Sequence, residues 1–344
     1  MSGGAAARAL AERLGIDGID AVVPFRVPLT TRFRGVTERH GLLLHGPHGW
    51  GEWSPFDEYA DEVAAVWLDA AIDAACTPAP RALRDRVPVN VTVPAVRPDE
   101  ARAIVVASGC ATVKAKVAEP GQTLVDDVAR VAAVREALEA TAGAGARIRI
   151  DANAAWSVDE SIAAIGALEE AADGLEYVEQ PCATLDALAE VRVRTGVRVA
   201  ADEAIRRDHA DPLLVRDAVD VAVVKVQPSG GVTAALALIE QLGLPAVVSS
   251  ALDTSVGLAA GVRLAAALPA LPFACGLATG LLLADDVVAS PLRPVDGMLD
   301  VAAAAAVAAA GMTLVDPLRS PPQERVAWLI ARAERALAAG REDG

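Results

Sequence analysis

The chain has 344 residues, 53% of them hydrophobic, and a formal net charge of −15 at pH 7. This negative charge opposes both the phosphates of nucleic acids and anionic lipid surfaces, so we expect neither as a partner. No apolar run reaches the roughly 18 residues that would span a bilayer, and no signal-peptide pattern is found, so we expect a cytoplasmic protein.

Residues 1–87 are predicted to form a separate α+β module. Segments 21–30, 37–46 and 49–56 combine β-branched and aromatic residues with turn residues, which is typical of antiparallel strands. Segment 57–75 carries apolar residues at helical spacing and predicts an amphipathic helix.

Residues 88–285 alternate short β-branched runs with helical stretches, at a spacing of about 25 residues. Strands are predicted at 88–94, 112–117, 147–153, 175–181, 197–203, 221–228, 245–253 and 272–278. Helices are predicted at 125–138, 158–172, 184–196, 232–243 and 256–269. This alternation implies parallel strands, and eight of them favour a TIM-type barrel over an open doubly wound sheet. No GxGxxG follows the first strand, which disfavours a dinucleotide-binding fold.

Residues 286–344 are too few for a further domain. The Ala-rich stretch 301–311 and the stretch 322–340 predict helices. We therefore expect this segment to pack back on the first module.

The chain contains only three lysines, Lys114, Lys116 and Lys225, whereas every other basic residue apart from histidine is arginine. All three lie in apolar, strand-like segments. An isolated lysine at the end of a buried strand often extends to solvent, but lysine, unlike arginine, can also lose its proton in a protein. The three positions therefore indicate acid–base chemistry.

Acidic and amide residues end the neighbouring predicted strands, about one β/α unit apart. Asp151 and Asn153 follow one strand, Glu179 the next, and Asp202 with Glu203 the one after. Any one of these acids alone could simply cap a helix. Together they would converge on the mouth of the barrel, where a hard divalent cation such as Mg²⁺ would relieve their mutual repulsion.

The motifs KAK, IDAN, VEQP, ADEA and VKVQPSGG, in this order, resemble the muconate lactonising branch of the enolase superfamily. The resemblance covers nearly the whole chain. It implies a modified (β/α)7β barrel at 88–285 and an α+β capping domain at 1–87 that 286–344 completes. It also implies Mg²⁺ bound by Asp151, Glu179 and Asp202, with Lys116 and Lys225 as the acid–base lysines and Lys114 as an electrostatic aid.

Two regions distinguish members of this branch. Dipeptide epimerases carry an Asp-x-Asp after the last barrel strand to hold a substrate ammonium, whereas this chain has GLATG at 276–280. Segments 32–39 and 49–56 resemble o-succinylbenzoate synthases, including those of actinobacterial type. We expect substrate contacts from residues in the barrel loops and the capping domain, namely Asn153, Arg34, Ser250, Asp253 and Gly276. Arg34 could equally be a surface charge, and for Trp50, Trp53 and Phe56 we favour an ordinary core role.

The resemblance implies syn dehydration of 2-succinyl-6-hydroxy-2,4-cyclohexadiene-1-carboxylate, a menaquinone precursor, to 2-succinylbenzoate. Lys116 would remove the proton and return it to the departing hydroxyl, while Lys225 would hold the anionic ring from the opposite side. Two further functions stay open. One is N-acylamino acid racemisation or another muconate cycloisomerase-like reaction on the same scaffold, and the other is a non-catalytic binding protein with this fold.

Overall fold

The computed structural model describes residues 3–206, 210–309, 311–312, 314–315 and 321–342. Two sheets of different construction organise them: a three-stranded antiparallel sheet and a seven-stranded parallel sheet. This mixed α/β architecture confirms the predicted fold class.

The antiparallel sheet contains β1 (Ala21–Phe33), β2 (Val36–Gly46) and β3 (Gly49–Trp53), in that order. Its first hairpin turns at Arg34 and Gly35, whose φ angles are 50° and 80°. Two successive positive φ angles are typical of a tight type I′ turn, which fits the twist of paired strands. The hairpin tip therefore presents Phe33 and Arg34 at a fixed place.

Two helices cover this sheet, α1 (Gly3–Leu14) and α2 (Asp61–Cys76). Trp53 is fully buried between sheet and helix, and its indole N–H donates to the carbonyl of Ala64 in α2 (2.9 Å). Trp50 and Phe56 are buried as well. Trp53 and Phe56 belong to the core that this sheet shares with α1 and α2, whereas Trp50 packs in the larger hydrophobic cluster that contains the parallel sheet.

Gly51 allows β3 to lie directly on α2, because a Cβ at this position would overlap the backbone carbonyl of Ala71. We expect Gly51→Ala to destabilise the protein by about 1–3 kcal/mol, since backbone must move to admit the methyl group. Gly166→Ala is the matched control, because Gly166 has open space around its Cβ position inside a helix. The control should gain about 0.5–1 kcal/mol. Thermal or urea unfolding measures both, and equal stability of the two variants would contradict the packing argument.

The parallel sheet follows chain order without interruption. Its strands are β5 (Asn90–Val93), β6 (Thr112–Lys116), β7 (Arg147–Asp151), β8 (Tyr177–Glu179), β9 (Val199–Ala201), β10 (Val221–Lys225) and β11 (Ala246–Ser249). The predicted eighth strand at 272–278 is much shorter than expected. Cys275 and Gly276 form single parallel bridges to Val89 and Ser249, so they close the sheet into a barrel between β5 and β11.

Arg149 on β7 reinforces this closure from inside the barrel, where it is fully buried. Its guanidinium donates to the side chain of Asn90 (2.9 Å) on β5 and to the carbonyl of Ala274 (2.7 Å) beside the closing bridges. It also pairs with Glu176 (2.5 Å) before β8. Arg149 therefore links β5 to the short segment that closes the barrel.

Helices cover the outside of the barrel. They are α3 (Pro98–Ser108), α4 (Leu124–Ala142), α5 (Val158–Ala172), α6 (Leu185–Thr195), α7 (Glu203–Arg206), α8 (Pro212–Ala218), α9 (Val232–Leu242) and α10 (Ser255–Ala267). The five predicted helices correspond to α4, α5, α6, α9 and α10. Thr123 and Ser157 begin α4 and α5 with capping boxes, which explains why both helices start where they do. The sequence pattern does not predict α3, α7 or α8.

After the barrel, β12 (Met298–Asp300) pairs antiparallel with β4 (Arg86–Pro88), and α11 (Val301–Val307) follows. The final helix, α12 (Gln323–Glu342), packs against α2. Buried Arg332 on α12 donates to the carbonyls of Pro55, Phe56 and Tyr59. Within the part of the chain that the structure describes, no helix is both long and apolar enough to cross a membrane.

Candidate active site

The carboxyl ends of the barrel strands bring the predicted ionisable residues to one rim. Lys116, Asp151, Glu179 and Lys225 are the last residues of β6, β7, β8 and β10, and Asp202 directly follows β9. The strand register places Lys116 opposite Asp151 and Asp151 opposite Glu179. This arrangement follows from the parallel order of the strands, since all their carboxyl ends point the same way.

All of these side chains except that of Glu179 line a cavity at the barrel mouth. Lys114, Lys116 and Lys225 line it together with Asp151 and Asp202. The antiparallel sheet closes it from above with Phe33 and Arg34, and the remaining lining residues are Thr92, Asn153, Arg206, Ser249, Ser250, Ala251, Leu252 and Thr279. The cavity thus lies between the barrel and the first hairpin.

Each lysine pairs with a buried carboxylate. The Nζ of Lys116 lies 2.5 Å from Asp151 Oδ2, and that of Lys225 lies 2.7 Å from Asp202 Oδ2. Lys114 lies between two acids, with its Nζ 2.7 Å from Glu179 Oε1 and 3.1 Å from Asp151 Oδ2. The scarce lysines and the strand-end acids therefore form one charge network.

Burial and neighbouring charges shift these groups in different directions. Burial opposes ionisation of Asp151, but the charges of Lys116 and Lys114 outweigh it and lower its pKa. Burial, and then the charge of Asp151, raises the pKa of Glu179 to about 7. Burial also lowers the pKa of Lys225. Glu179 is consequently the acid in this network that is least compensated by cations.

The donor atoms fit a hard divalent cation, because Asp151, Glu179 and Asp202 supply only carboxylate oxygens. Glu179 Oε2 is buried and has no hydrogen-bond partner among the described residues, which marks an acceptor for which a further cation is suited. Among these residues no group of three His, Cys, Asp or Glu side chains is already arranged to hold a metal ion. The ammonium of Lys114 lies between Asp151 and Glu179.

Asn153 and Arg206 connect the network to its surroundings. Asn153, at a φ of 48°, accepts a hydrogen bond from Lys116 (2.7 Å) and donates one to Glu203 (3.2 Å). Arg206 donates to Asp202 (2.9 Å), to Glu203 (2.6 Å) and to the hydroxyl of Tyr59 (3.2 Å). Arg206 was not predicted from the sequence, because the short helix that places it four residues after Asp202 was not predicted either.

The expected substrate contacts divide into two groups. Arg34, Asn153 and Ser250 line the cavity. Asp253 and Gly276 are not among its lining residues. Asp253 is buried and accepts from the backbone N–H of Ala251 (3.3 Å), and Gly276 lies in the barrel closure, where a Cβ would come 2.5 Å from the hydroxyl of Ser249.

Two family models match the chain. The model described as enolase C-terminal domain-like matches residues 97–306, and the model described as enolase N-terminal domain-like matches residues 24–75. The first match covers most of the barrel and the second covers the antiparallel sheet, so both parts of the fold are recognised separately.

Curated relatives give a narrower assignment. An o-succinylbenzoate synthase from Thermobifida fusca is 60% identical over 279 residues, which is 80% of this chain and 86% of the relative. Another from Mycolicibacterium smegmatis is 50% identical over 314 residues, covering 89% of this chain and 92% of the relative. Both relatives are matched over nearly their whole length.

Solved structures support the fold. A muconate lactonizing enzyme from Pseudomonas fluorescens superposes with a TM-score of 0.69 at 20% identity, covering 91% of this chain and 99% of that chain. A dipeptide epimerase from Enterococcus faecalis complexed with Mg and a dipeptide gives 0.67 at 24% identity, with 81% and 95% covered. Taken with the curated relatives, these matches show that the chain belongs to the o-succinylbenzoate synthases, a family of hydro-lyases within the enolase superfamily that act on a small molecule.

Proposed function

We propose that the chain is an o-succinylbenzoate synthase in which Lys116 is the acid–base and Asp151, Glu179 and Asp202 bind Mg²⁺. The reaction is syn dehydration of 2-succinyl-6-hydroxy-2,4-cyclohexadiene-1-carboxylate to 2-succinylbenzoate. One observation carries the assignment of roles: Lys116 and Lys225 enter one cavity, each paired to a different strand-end carboxylate. The identity of the curated relatives supports the substrate.

The three carboxylates would hold Mg²⁺ at the barrel mouth. When bound, the cation would withdraw negative charge from the substrate carboxylate and so acidify the adjacent C–H. Lys114, which lies between Asp151 and Glu179, would add positive charge to the same region.

Lys116 removes the proton from the ring carbon next to the carboxylate. The electron pair of that C–H bond forms a ring double bond, and the neighbouring C–O bond breaks. Lys116 then returns the proton to the departing hydroxyl, which leaves as water. Because one group on one face does both steps, proton removal and hydroxyl loss occur with syn stereochemistry. Asn153 contacts the Lys116 ammonium and orients it.

Lys225 reaches the cavity from β10, across the barrel from β6. In the proposed reaction its ammonium stabilises negative charge on the ring by direct attraction and by a cation–π contact. Its side chain donates to Asp202 (2.7 Å), which fixes the ammonium at the rim. No proton needs to pass through Lys225.

Racemisation of an N-acylamino acid is the second candidate function, and the paired arrangement of Lys116 and Lys225 favours it over a non-catalytic binding role. In that reaction each lysine would act as base on one face of the substrate. Of the two candidates, only a racemase would incorporate deuterium from heavy water at the α position of an N-acylamino acid at a rate comparable to turnover.

The purified chain should convert the cyclohexadiene substrate to an aromatic product in the presence of Mg²⁺. Chelation by EDTA should abolish turnover, and added Mg²⁺ should restore it, because without the cation the negative charge that develops on the substrate is not stabilised. Ultraviolet absorbance follows the aromatic product directly. Absence of product, combined with rapid α-proton exchange in N-acylamino acids, would reverse the ranking of the two candidates. Inactivity on both substrates would favour a binding protein.

A further inference from the structure

The turn between β11 and α10 forms one wall of the active-site cavity. Ser250, Ala251 and Leu252 line the cavity from this turn, and the Ser250 hydroxyl contacts that of Thr279 (2.5 Å). Leu252 has a φ of 63°, a conformation that a leucine adopts only when its surroundings impose it. The contacts that impose this shape come largely from the antiparallel sheet.

Glu52, near the end of β3, caps the first turn of α10. Its carboxylate accepts from the backbone N–H groups of Thr254 (3.0 Å) and Gly257 (3.1 Å), and from the hydroxyls of Thr254 (2.5 Å) and Ser54 (2.7 Å). A carboxylate at a helix N-terminus is stabilised by the unpaired N–H groups and by the helix dipole. Glu52 therefore fixes the end of the turn that leads into α10.

Gly257 makes this approach possible. A Cβ at Gly257 would come within 2.9 Å of Glu52 Oε2 and of the Gln227 side-chain amide, and within 2.8 Å of Asp253. Any larger residue would push the Glu52 carboxylate away from the helix end. Glycine at position 257 thus allows β3 to pack closely against the start of α10.

Arg39 on β2 holds the middle of the same turn. Its guanidinium donates to the backbone carbonyls of Ser54 and of Leu252 (3.3 Å from Nε) and stacks on the Phe56 ring, 4.1 Å from the ring centroid. Arg39 is only 3% exposed, so these contacts are shielded from water. The residue with the positive φ angle is therefore bonded directly to the antiparallel sheet.

Asp253 completes a buried charge cluster with Glu52 and Arg39. Burial raises the pKa of Asp253, and burial together with the charge of Asp253 raises the pKa of Glu52 to about 7. The cluster thus contains two acids and one arginine, with Lys225 contributing a further positive charge to Asp253. Asp253 bonds the N–H of Ala251 rather than facing the cavity.

From these contacts we infer that Glu52 and Arg39 are positioning residues, through which the antiparallel sheet sets the shape of the substrate-facing turn at 250–252. Asp253 has the same role from within the turn. The inference rests on the proposed function only in that the turn contacts the substrate of that reaction. The antiparallel sheet thus affects substrate affinity through this turn as well as through Phe33 and Arg34, which line the cavity.

Hydrogen–deuterium exchange tests the inference without substrate, so it is independent of the proposed function. Glu52→Gln removes the negative charge at the helix end and leaves one acceptor oxygen where two accept, and in Arg39→Lys an ammonium cannot bridge both carbonyls. Both variants should show at least about tenfold faster exchange across 249–258. The backbone N–H groups there are no longer protected by the contact of Glu52 with the start of α10 or by that of Arg39 with the turn. Peptides covering β6 and β7 should be unchanged.

Glu58→Gln is the matched control, because Glu58 is exposed on the same sheet-bearing part of the chain. It should leave exchange at 249–258 as in the wild type. Unchanged exchange there in both Glu52→Gln and Arg39→Lys would overturn the inference. A uniform rise over the whole chain in both variants would also overturn it, because that result assigns the two residues to general stability.

Steady-state kinetics supplies the functional readout once the wild type is active on the cyclohexadiene substrate. We expect KM to rise about tenfold in Glu52→Gln and Arg39→Lys, since ordering a loosened turn on binding costs affinity. The value of kcat should fall by less than about threefold, because Lys116 and the metal ligands keep their places. A fall in kcat with unchanged KM would contradict a positioning role at the substrate-facing turn.

Discussion

Lys116→Arg is expected to lower kcat for dehydration by about a thousandfold, within the range for loss of a general acid–base group. Arginine keeps the positive charge that pairs with Asp151, but it does not lose its proton in a protein and cannot remove one from the substrate. The charge network should survive, and with it the fold. Formation of aromatic product under saturating substrate and Mg²⁺ measures the effect.

Binding measurements on the same variant separate chemistry from affinity. Calorimetric titration with 2-succinylbenzoate, the reaction product, should give a dissociation constant within about fivefold of the wild-type value, because the net charge of the cavity is unchanged. Activity of Lys116→Arg within tenfold of the wild type would remove Lys116 from the acid–base role. The assignment would then pass to Lys225, the other lysine that ends a barrel strand.

Glu179→Gln is expected to weaken Mg²⁺ binding by about a hundredfold or more, since a neutral amide replaces one of three anionic ligands. Glu179 is the informative choice because it has one ammonium partner, Lys114, and one buried oxygen without a hydrogen-bond partner among the described residues. Its loss disturbs the network less than loss of Asp151, which pairs with two lysines. The folded protein should therefore be recoverable.

Two measurements report on this variant. Calorimetry gives the Mg²⁺ dissociation constant, and the rise of melting temperature with added Mg²⁺ should shrink or vanish, because stabilisation by a ligand follows its affinity. Glu176→Gln is the matched control, since Glu176 precedes the same strand at the opposite end of the barrel and pairs with Arg149. If Glu179→Gln and Glu176→Gln bind Mg²⁺ equally well, Glu179 is not a ligand.

The barrel could be predicted because its strands carry two independent signals. Apolar β-branched runs mark the strands themselves, and chemistry-bearing residues end them, as at Asp151 and Glu179. The closing strand was predicted at 272–278, but it is shorter than predicted, since among the described residues Cys275 and Gly276 alone form bridges there. The sequence pattern indicates that a strand lies here, but not how few of its residues pair with the neighbouring strands.

The strand-end residues of the candidate site could be predicted because their position follows from strand order. Lys116 and Asp202 are of this kind. Arg206 and Tyr59 are joined by a hydrogen bond between distant parts of the chain, which no local pattern announces. Asp253 was predicted to contact substrate because it follows β11, but it is buried, accepts from the N–H of Ala251 and is not among the residues that line the cavity.

The packing of α12 on α2 has a consequence for biosynthesis. Arg332 on α12 donates to carbonyls at 55, 56 and 59, so the last described helix stabilises a segment translated more than 250 residues earlier. The barrel strands leave the ribosome well before this partner exists. A nascent chain can therefore form its parallel sheet before α12 is available, and α2 gains this packing partner only after residues 323–342 have been translated.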